Sequence, residues 1–209
     1  YSVELAYHND QTMNGNPQVE AISVAVRVPA HYELTKNAIE AGKHVFCEWP
    51  LGANLKETED LAALARTHNV QTMVGLQRRA SPTYLRLQEL VAEGYVGDIL
   101  AVNLQQLGGG VLSRTADRTW QKDVELGATT LTIGFGHAID ALCMVAGEIT
   151  EVSGVVSTQV NQWYETDTQK SVDVTSPDNI IMAGKLENGA VVNAYVGVHP
   201  YHGSGYRME

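Results

Sequence analysis

Long apolar runs, cysteine clusters and basic patches are all scarce in this chain of 209 residues, and each scarcity excludes something. The longest apolar stretches, such as Ile22 to Val28 and Ala190 to Val198, are strand-sized. A membrane span needs roughly 18 residues, so no transmembrane helix and no membrane partner are expected. Two cysteines are too few for a disulfide framework or, on their own, for a zinc site, and no metal is expected. Cys47 falls in a hydrophobic strand pattern and Cys143 in an apolar helical one, so both read as reduced core thiols. Basic residues number 14 against 24 acidic ones, a net charge of −10, and the largest basic cluster is Arg78-Arg79. Such a chain has no electrostatic footprint for a phosphate backbone, which argues against direct nucleic-acid binding. No signal-peptide pattern opens the sequence, so an intracellular protein is expected, cytoplasmic or, for a regulator, nuclear.

What is present is ordinary globular material. With 44% hydrophobic and 18% charged residues, neither a disordered tail nor a coiled coil is expected. Against a soft norm of about 150 residues per domain, the length allows one large domain or two small ones. The chain opens without methionine, and its first seven residues read as a strand or helix remnant before a loop from Asn9 to Gln18.

From there strands and helices alternate. Ala21 to Val28 is a nearly continuous apolar run, as in a strand buried on both faces of a parallel sheet. Tyr32 to Ala41 has helical spacing and a stop at Gly42. His44 to Glu48 is a second strand. Asn54 and Glu57 frame a helix start ahead of Leu61, Leu64 and Ala65. Val70 to Leu76 is a third strand, and Pro82 to Glu93 a third helix. These lengths give βαβ units with right-handed crossovers, hence a doubly wound, Rossmann-like parallel sheet over residues 1–98.

Residues 99–209 follow a different pattern. Ile99 to Leu107 reads as a strand, Gly108-Gly109-Gly110 opens an irregular stretch to Glu125, and Leu126 to Ala146 reads as one long apolar helix. Ile149 to Val160 and a polar excursion through Thr175 precede two strands, Asn179 to Leu186 and Ala190 to Val198, joined at Asn188-Gly189. Asn-Gly between alternating runs is a strong hairpin signal. The second domain is expected to be α+β with an open, mostly antiparallel sheet. No internal repeat is visible.

In an open parallel sheet, ligands collect at the carboxyl ends of the strands. Two segments lie there: Arg27-Val28-Pro29-Ala30-His31 and Cys47-Glu48-Trp49-Pro50. Both prolines also serve as plain strand terminators. A third candidate is Gly134-Phe135-Gly136-His137, where two glycines leave the imidazole uncrowded and Asp140 follows on the same helical face. A lone histidine on an apolar helix is more often a satisfied core residue.

Val26-Arg27-Val28-Pro29-Ala30-His31-Tyr32, Glu40 through Leu51, Gly94-Tyr95-Val96-Gly97-Asp98-Ile99 and Gly136-His137-Ala138-Ile139-Asp140 together resemble the Gfo/Idh/MocA oxidoreductases. The resemblance runs from about Val19 to about Val198. It implies a dinucleotide-binding domain followed by an antiparallel α/β domain, NAD or NADP as cofactor, and a sugar or polyol as substrate. It assigns His137 and Asp140 to catalysis. Val28, Pro29 and His31 would lie beside the adenosine and pyrophosphate, with Glu48, Trp49 and Pro50 on the nicotinamide side. Gln77 would lie near the substrate, and Trp120 is a candidate pocket wall.

The chain departs from that pattern in three places. Trp49 stands where the family carries a catalytic lysine, Ile133 stands where many members carry an aspartate, and the Gly-rich turn after the first strand is not found. The sequence is therefore expected to begin downstream of that turn, lacking the first βα unit and the last strands of the second sheet, with an open sheet edge. The residue that would discriminate NAD from NADP falls at or before Tyr1. An ammonium beside the reacting hydroxyl supplies charge and proton transfer, whereas an indole donates one neutral hydrogen bond. Glu48-Trp49-Pro50, the Gln71 to Pro82 segment and Thr129-Thr130 resemble, more narrowly, a fungal galactose-regulon repressor-like subgroup. Two readings follow. One is an NAD(P)-dependent oxidoreductase with altered chemistry. The other is a cofactor-sensing transcriptional regulator that docks an acidic activator protein, for which Arg27, Arg78, Arg79 and Arg86 would have to cluster. A homodimer is implied in both.

Overall fold

A computed structural model of the protein describes residues 5–209, so the first four residues of the N-terminal remnant lie outside the described residues. The chain forms two compact units, one of the residues up to Gly75 together with Glu125–Gly127, the other of Leu76–Val124 together with Ala128–Glu209.

The first unit carries α1 (Asp10–Asn14), β1 (Ala21–Val24), α2 (His31–Glu40), β2 (His44–Glu48), α3 (Leu55–His68) and β3 (Thr72–Gly75). The strands pair in parallel in the order β1-β2-β3, with Val24 beside Cys47 and Cys47 beside Val74. Each helix starts or stops for a local reason. The Asn54 side chain accepts from Glu57 N at 3.1 Å, and Glu57 Oε2 reaches back to Ala53 N at 2.7 Å, which together satisfy donors at the α3 start. Asn9 caps α1 in the same way through Thr12 N, so the segment expected to be a loop contains a short helix.

Ile22, Val24, Val45 and Cys47 face Ala38, Ile39, Leu61 and Ala65 of α2 and α3. Residues of opposite parity, Ala21, Ser23 and His44, are exposed, as is Met73. Within the described residues the sheet is thus covered by helices on one face, where double winding was expected. The first strand also ends at Val24, four residues short of the apolar run that suggested burial on both faces.

The second unit contains α4 (Pro82–Ala92), β4 (Ala101–Gly109), β5 (Ser113–Arg114), α5 (Gly136–Ala146), β6 (Ile149–Ser157), β7 (Gln162–Glu165), β8 (Lys170–Asp173), β9 (Asn179–Leu186), β10 (Val191–His199) and β11 (Gly205–Met208). Its main sheet runs β11-β4-β10-β9-β6; only β4 and β10 pair in parallel. The β9–β10 hairpin turns at Gly189 with φ of +84°, a left-handed conformation that glycine adopts without a Cβ clash. Strands β5, β7 and β8 form a small second sheet from residues expected to be irregular.

Ala138, Ala141 and Leu142, fully buried at helical spacing, press α5 onto the main sheet against Leu104, Met182, Leu186 and Ala194. The opposite sheet face exposes Val155, Ile181 and Val191. The expected single helix from Leu126 to Ala146 is interrupted. Gly127 has φ of +70°, and a Cβ there would fall 2.3 Å from Ala53 Cα, a close approach that joins residues 125–127 to the first unit. Thr129 then starts a new helical stretch, wound as a π-helix over Thr130–Phe135 before α5 begins. The compact units divide after Gly75, upstream of the expected boundary near residue 98. Helix α4 packs on α5, and Gln88 Nε2 donates to Met144 O at 2.9 Å. Among the described residues, no helix is long and apolar enough to cross a membrane.

Two substitutions calibrate this packing. Leu142→Ala is expected to lose about 2–5 kcal/mol of stability through a cavity in the α5 core, and Asn54→Ala about 1 kcal/mol through the lost cap, both read by urea unfolding. Burial pushes both thiols above their ordinary value, most strongly through desolvation. Ellman's reagent at pH 8 should therefore titrate Cys47 slowly in the native protein and both cysteines at once in urea.

Candidate functional site

In the first unit the candidate residues gather at the carboxyl ends of β1 and β2. After β1 the chain makes a 3₁₀ turn, Val28–Ala30, whose Pro29 suits the first helical turn because it lacks an N–H to satisfy. His31 follows as the first residue of α2. It is only 1% exposed, with Nδ1 2.7 Å from Pro50 O and Nε2 3.0 Å from Val26 O. Both ring nitrogens face main-chain carbonyls, so His31 ties the two loops together and presents neither nitrogen to a ligand. This differs from the direct cofactor contact expected of it.

Around that tie, Val28 and Pro50 are buried, Pro29 is exposed, and Glu48 and Trp49 are half-buried. The Trp49–Pro50 peptide is cis. The end of β3 is shaped to Glu48. A Cβ at Gly75 would lie 2.8 Å from Glu48 Oε2 and 3.2 Å from Glu48 Cα, so glycine permits the carboxylate to lie against the neighbouring strand. Val28, Pro29, Glu48, Trp49 and Pro50 are thereby brought to one edge of a parallel sheet.

In the second unit the segment before α5 is built on Thr129 and Thr132. The Thr129 hydroxyl accepts from Thr132 N at 3.2 Å, and the Thr132 hydroxyl accepts from Thr129 N at 2.9 Å. This reciprocal cap fixes the start of the π-helix; such windings recur at functional sites. His137 lies half-buried in the first turn of α5. Asp140, one turn on, is held by Arg79, whose Nε and Nη2 lie 2.7 and 2.6 Å from Asp140 Oδ1.

Arg78, the neighbour of Arg79, organises the other side. Its guanidinium donates to His137 O at 3.2 Å and to Gln106 Oε1 at 3.0 Å, and lies 4.7 Å from the Tyr206 ring centre. Tyr206 is in turn pushed well above the usual phenol range by burial and by Tyr84, with Arg78 opposing. Gln77, expected near a substrate, is exposed.

Arg78 and Gln106 line a cavity of about 570 Å³ within this unit, together with Arg114, Thr129, Thr130 and Trp163. The indole that walls this cavity is Trp163; Trp120 is not among its lining residues. Arg114 stacks 4.7 Å over Trp163. Burial pushes the Arg114 guanidinium below its ordinary value, and neighbouring Arg118 acts in the same direction. Arg114, Arg118 and Trp163 lie outside every motif singled out in the sequence. Only Arg78 carried a signal there, as part of the Gln77-Arg78-Arg79 triplet. The arginines considered for an acidic partner do not form a free cationic patch in this unit, because Arg79 pairs with Asp140 and Arg86 with Glu89 and Glu93. Among the described residues, no group of three or more His, Cys, Asp or Glu is placed to hold a metal ion.

A parallel Rossmann-like sheet in one unit and a helix on a mixed, mostly antiparallel sheet in the other are the fold elements of two-domain, Rossmann-type proteins. The comparisons agree. Residues 1–76 match the oxidoreductase family with an NAD-binding Rossmann fold, and residues 82–206 match the Gal80p C-terminal domain. The chain belongs to the Gfo/Idh/MocA oxidoreductase family, with a second half of the Gal80p type. It is 36% identical over 187 residues to the dehydrogenase aclE of Aspergillus oryzae, covering 88% of this chain and 51% of that protein. It is 31% identical over 188 residues to the galactose/lactose metabolism regulatory protein GAL80 of Kluyveromyces lactis, covering 83% of this chain and 41% of that one. The crystal structure of a super-repressor mutant of Gal80p from Saccharomyces cerevisiae superposes with a TM-score of 0.86 at 25% identity, over 98% of this chain and 58% of the other. The chain spans about half the length of these relatives.

Removing the His31 ring should take away the donor of one main-chain carbonyl and the spacer between the two loops. His31→Ala is expected to cost on the order of 2–3 kcal/mol, measured by urea unfolding, while the exposed Pro29→Ala change should cost less than about 1 kcal/mol.

Proposed function

We propose that this chain is the core of an NAD(P)-dependent oxidoreductase acting on a hydroxyl-bearing carbon of a sugar-like or polyol-like substrate. The observation that carries this reading is the second unit's open cavity, which mixes polar and apolar lining. Its volume of about 570 Å³ lies within the range of small-molecule sites, and Gln106, Thr129 and Thr130 supply donors and acceptors suited to hydroxyl groups.

The strand ends of the first unit fit a dinucleotide. Adjacent loops at the carboxyl edge of a parallel sheet are held in place by His31, with exposed Pro29 and half-buried Glu48 and Trp49 at the rim. Val28, Pro29, Glu48, Trp49 and Pro50 are the residues we assign to holding NAD or NADP, with His31 positioning their loops. When bound, the nicotinamide supplies hydride exchange with the substrate carbon. His137, which is not among the residues lining the second unit's cavity, is assigned the proton of the reacting hydroxyl on the strength of the family resemblance. Its main chain is fixed by Arg78, and Asp140, fixed by Arg79, is the carboxylate on the same helical face. Gln77 is assigned to the substrate side on the strength of the family resemblance alone. Trp49 lies where that resemblance places a lysine, so proton transfer falls on His137 alone and turnover is expected to be slow.

Trp49 also favours a second reading, a cofactor-sensing regulator of transcription that binds a protein partner, and the likeness to GAL80 supports it. The engagement of Arg79 and Arg86 by carboxylates of this same chain weighs against an acidic partner on that surface. In either reading we assign a homodimer contact to the open face of the main sheet, where Val155, Ile181 and Val191 are exposed.

The test is a turnover assay with NAD and NADP against aldoses and polyols, following the absorbance of the reduced nicotinamide. Turnover that falls about 10²- to 10⁴-fold in His137→Ala is the expected outcome. Cofactor binding without turnover on any of them would leave the regulator.

A further inference from the structure

We propose that the cavity of the second unit is built for an anionic small molecule, a hydroxylated acid carrying a carboxylate or phosphate, with Arg114 and Arg118 as its cationic wall. This rests on the reading above and names the substrate class of that same cavity.

The local charge runs against that of the chain. A protein with net charge −10 lines this cavity with Arg78, Arg114 and Arg118 and a single carboxylate, Asp178. Asp178 is already engaged. Its oxygens accept from Gln159 N at 2.9 Å, Val160 N at 2.7 Å and Asn179 Nδ2 at 2.9 Å. Arg78 is committed to Gln106 and the His137 carbonyl. Arg114 and Arg118 differ. Among the described residues neither forms an ion pair, although 24 acidic residues are available in the sequence. The acid that pairs with Arg114 in register, Glu165, accepts from the Thr119 hydroxyl at 2.8 Å.

Two neighbouring guanidiniums without a counter-ion repel one another, and an anion between them removes that cost. Two donors at the same place lack acceptors. Arg114 Nε and Trp163 Nε1 are buried with no hydrogen-bond partner, and Trp163 as a whole is 5% exposed. Both nitrogens are closed off from solvent, so they add positive potential beside the cavity without touching an occupant. A planar guanidinium fixed by stacking on an indole is well suited to carboxylate or phosphate oxygens. The hydroxyls of Thr129, Thr130 and Ser176 and the Gln121 amide complete a lining that matches a polyhydroxylated body. The size of the space favours such a molecule over an acidic protein segment.

The experiment is isothermal titration calorimetry of the protein with D-glucuronate, D-glucose 6-phosphate, D-glucose, inorganic phosphate and a poly-aspartate peptide. NADH binding is followed by its own fluorescence in parallel samples. One of the two sugar acids is expected to bind at least tenfold more tightly than D-glucose. The acid that does so identifies carboxylate or phosphate as the recognised group. Arg118→Gln, at an exposed position, should cut that preference about fivefold and Arg114→Gln should abolish it, with Arg114→Lys restoring part. Equal binding of D-glucose, no binding of either acid, inorganic phosphate binding as tightly as the sugar acids, or tighter binding of the peptide would each overturn the proposal. So would a preference unchanged in both Arg118→Gln and Arg114→Lys. NADH binding without acid preference defeats this inference alone, and acid preference without NADH binding defeats the oxidoreductase reading alone.

Discussion

The change of helical winding between Thr130–Phe135 and Gly136–Ala146 is the constraint on which the second unit depends. An α-helix must place its apolar stripe on the sheet, and Ala138, Ala141 and Leu142 do so at full burial. That docking sets the rotation of α5 about its own axis. It leaves the flank bearing His137 and Asp140 only partly buried, where Arg78 and Arg79 reach them. The wider π-turn upstream brings Gly134 O to within 3.4 Å of Gln106 Nε2. One continuous segment therefore supplies core packing, a cavity wall and the histidine.

The first unit solves a different problem with a similar economy. Its three strands end together at one edge, and the loops that leave them would be free to drift. A buried imidazole with a carbonyl on each side is a short, rigid spacer between those loops. Gly75 serves the same edge by omitting a side chain where Glu48 lies. Both devices determine where the atoms of these strand ends are held.

How much of this was legible in the sequence follows from the range of the interactions involved. The βαβ order, the Asn54 cap, and the turn at Asn188-Gly189 depend on residues within a few positions of one another, and each was read correctly. The α1 helix was missed because Asn9 and Gly15 read equally well as turn residues and as helix caps. The break at Gly127 was missed because it depends on backbone at Ala53, more than seventy residues away. One-sided burial of the first sheet was likewise illegible, since valine content reports burial and not the number of covered faces. Among the candidate site residues, Glu48 and Trp49 were raised by their place at a strand end and His137 by the glycines before it, and the resemblance added a role to each. The pairing of Asp140 with Arg79, and of Arg114 with Trp163, came from neither pattern nor motif. Both join residues about fifty or more positions apart, and a surface arginine and a cavity arginine look the same in a composition.

The same distinction bears on charge. A net charge of −10 argues soundly against a phosphate backbone as partner, because that interaction sums over an extended surface. It says nothing about a space of about 570 Å³, where two or three side chains set the potential and solvent is partly excluded. Arg79 and Arg86 meet carboxylates within the same unit and so contribute little field of their own. Arg114 and Arg118 lie where no carboxylate of the described residues meets them, and stacking on Trp163 holds Arg114 against relaxation toward one. A protein that is acidic overall thus lines this cavity with three arginines and a single, already engaged carboxylate.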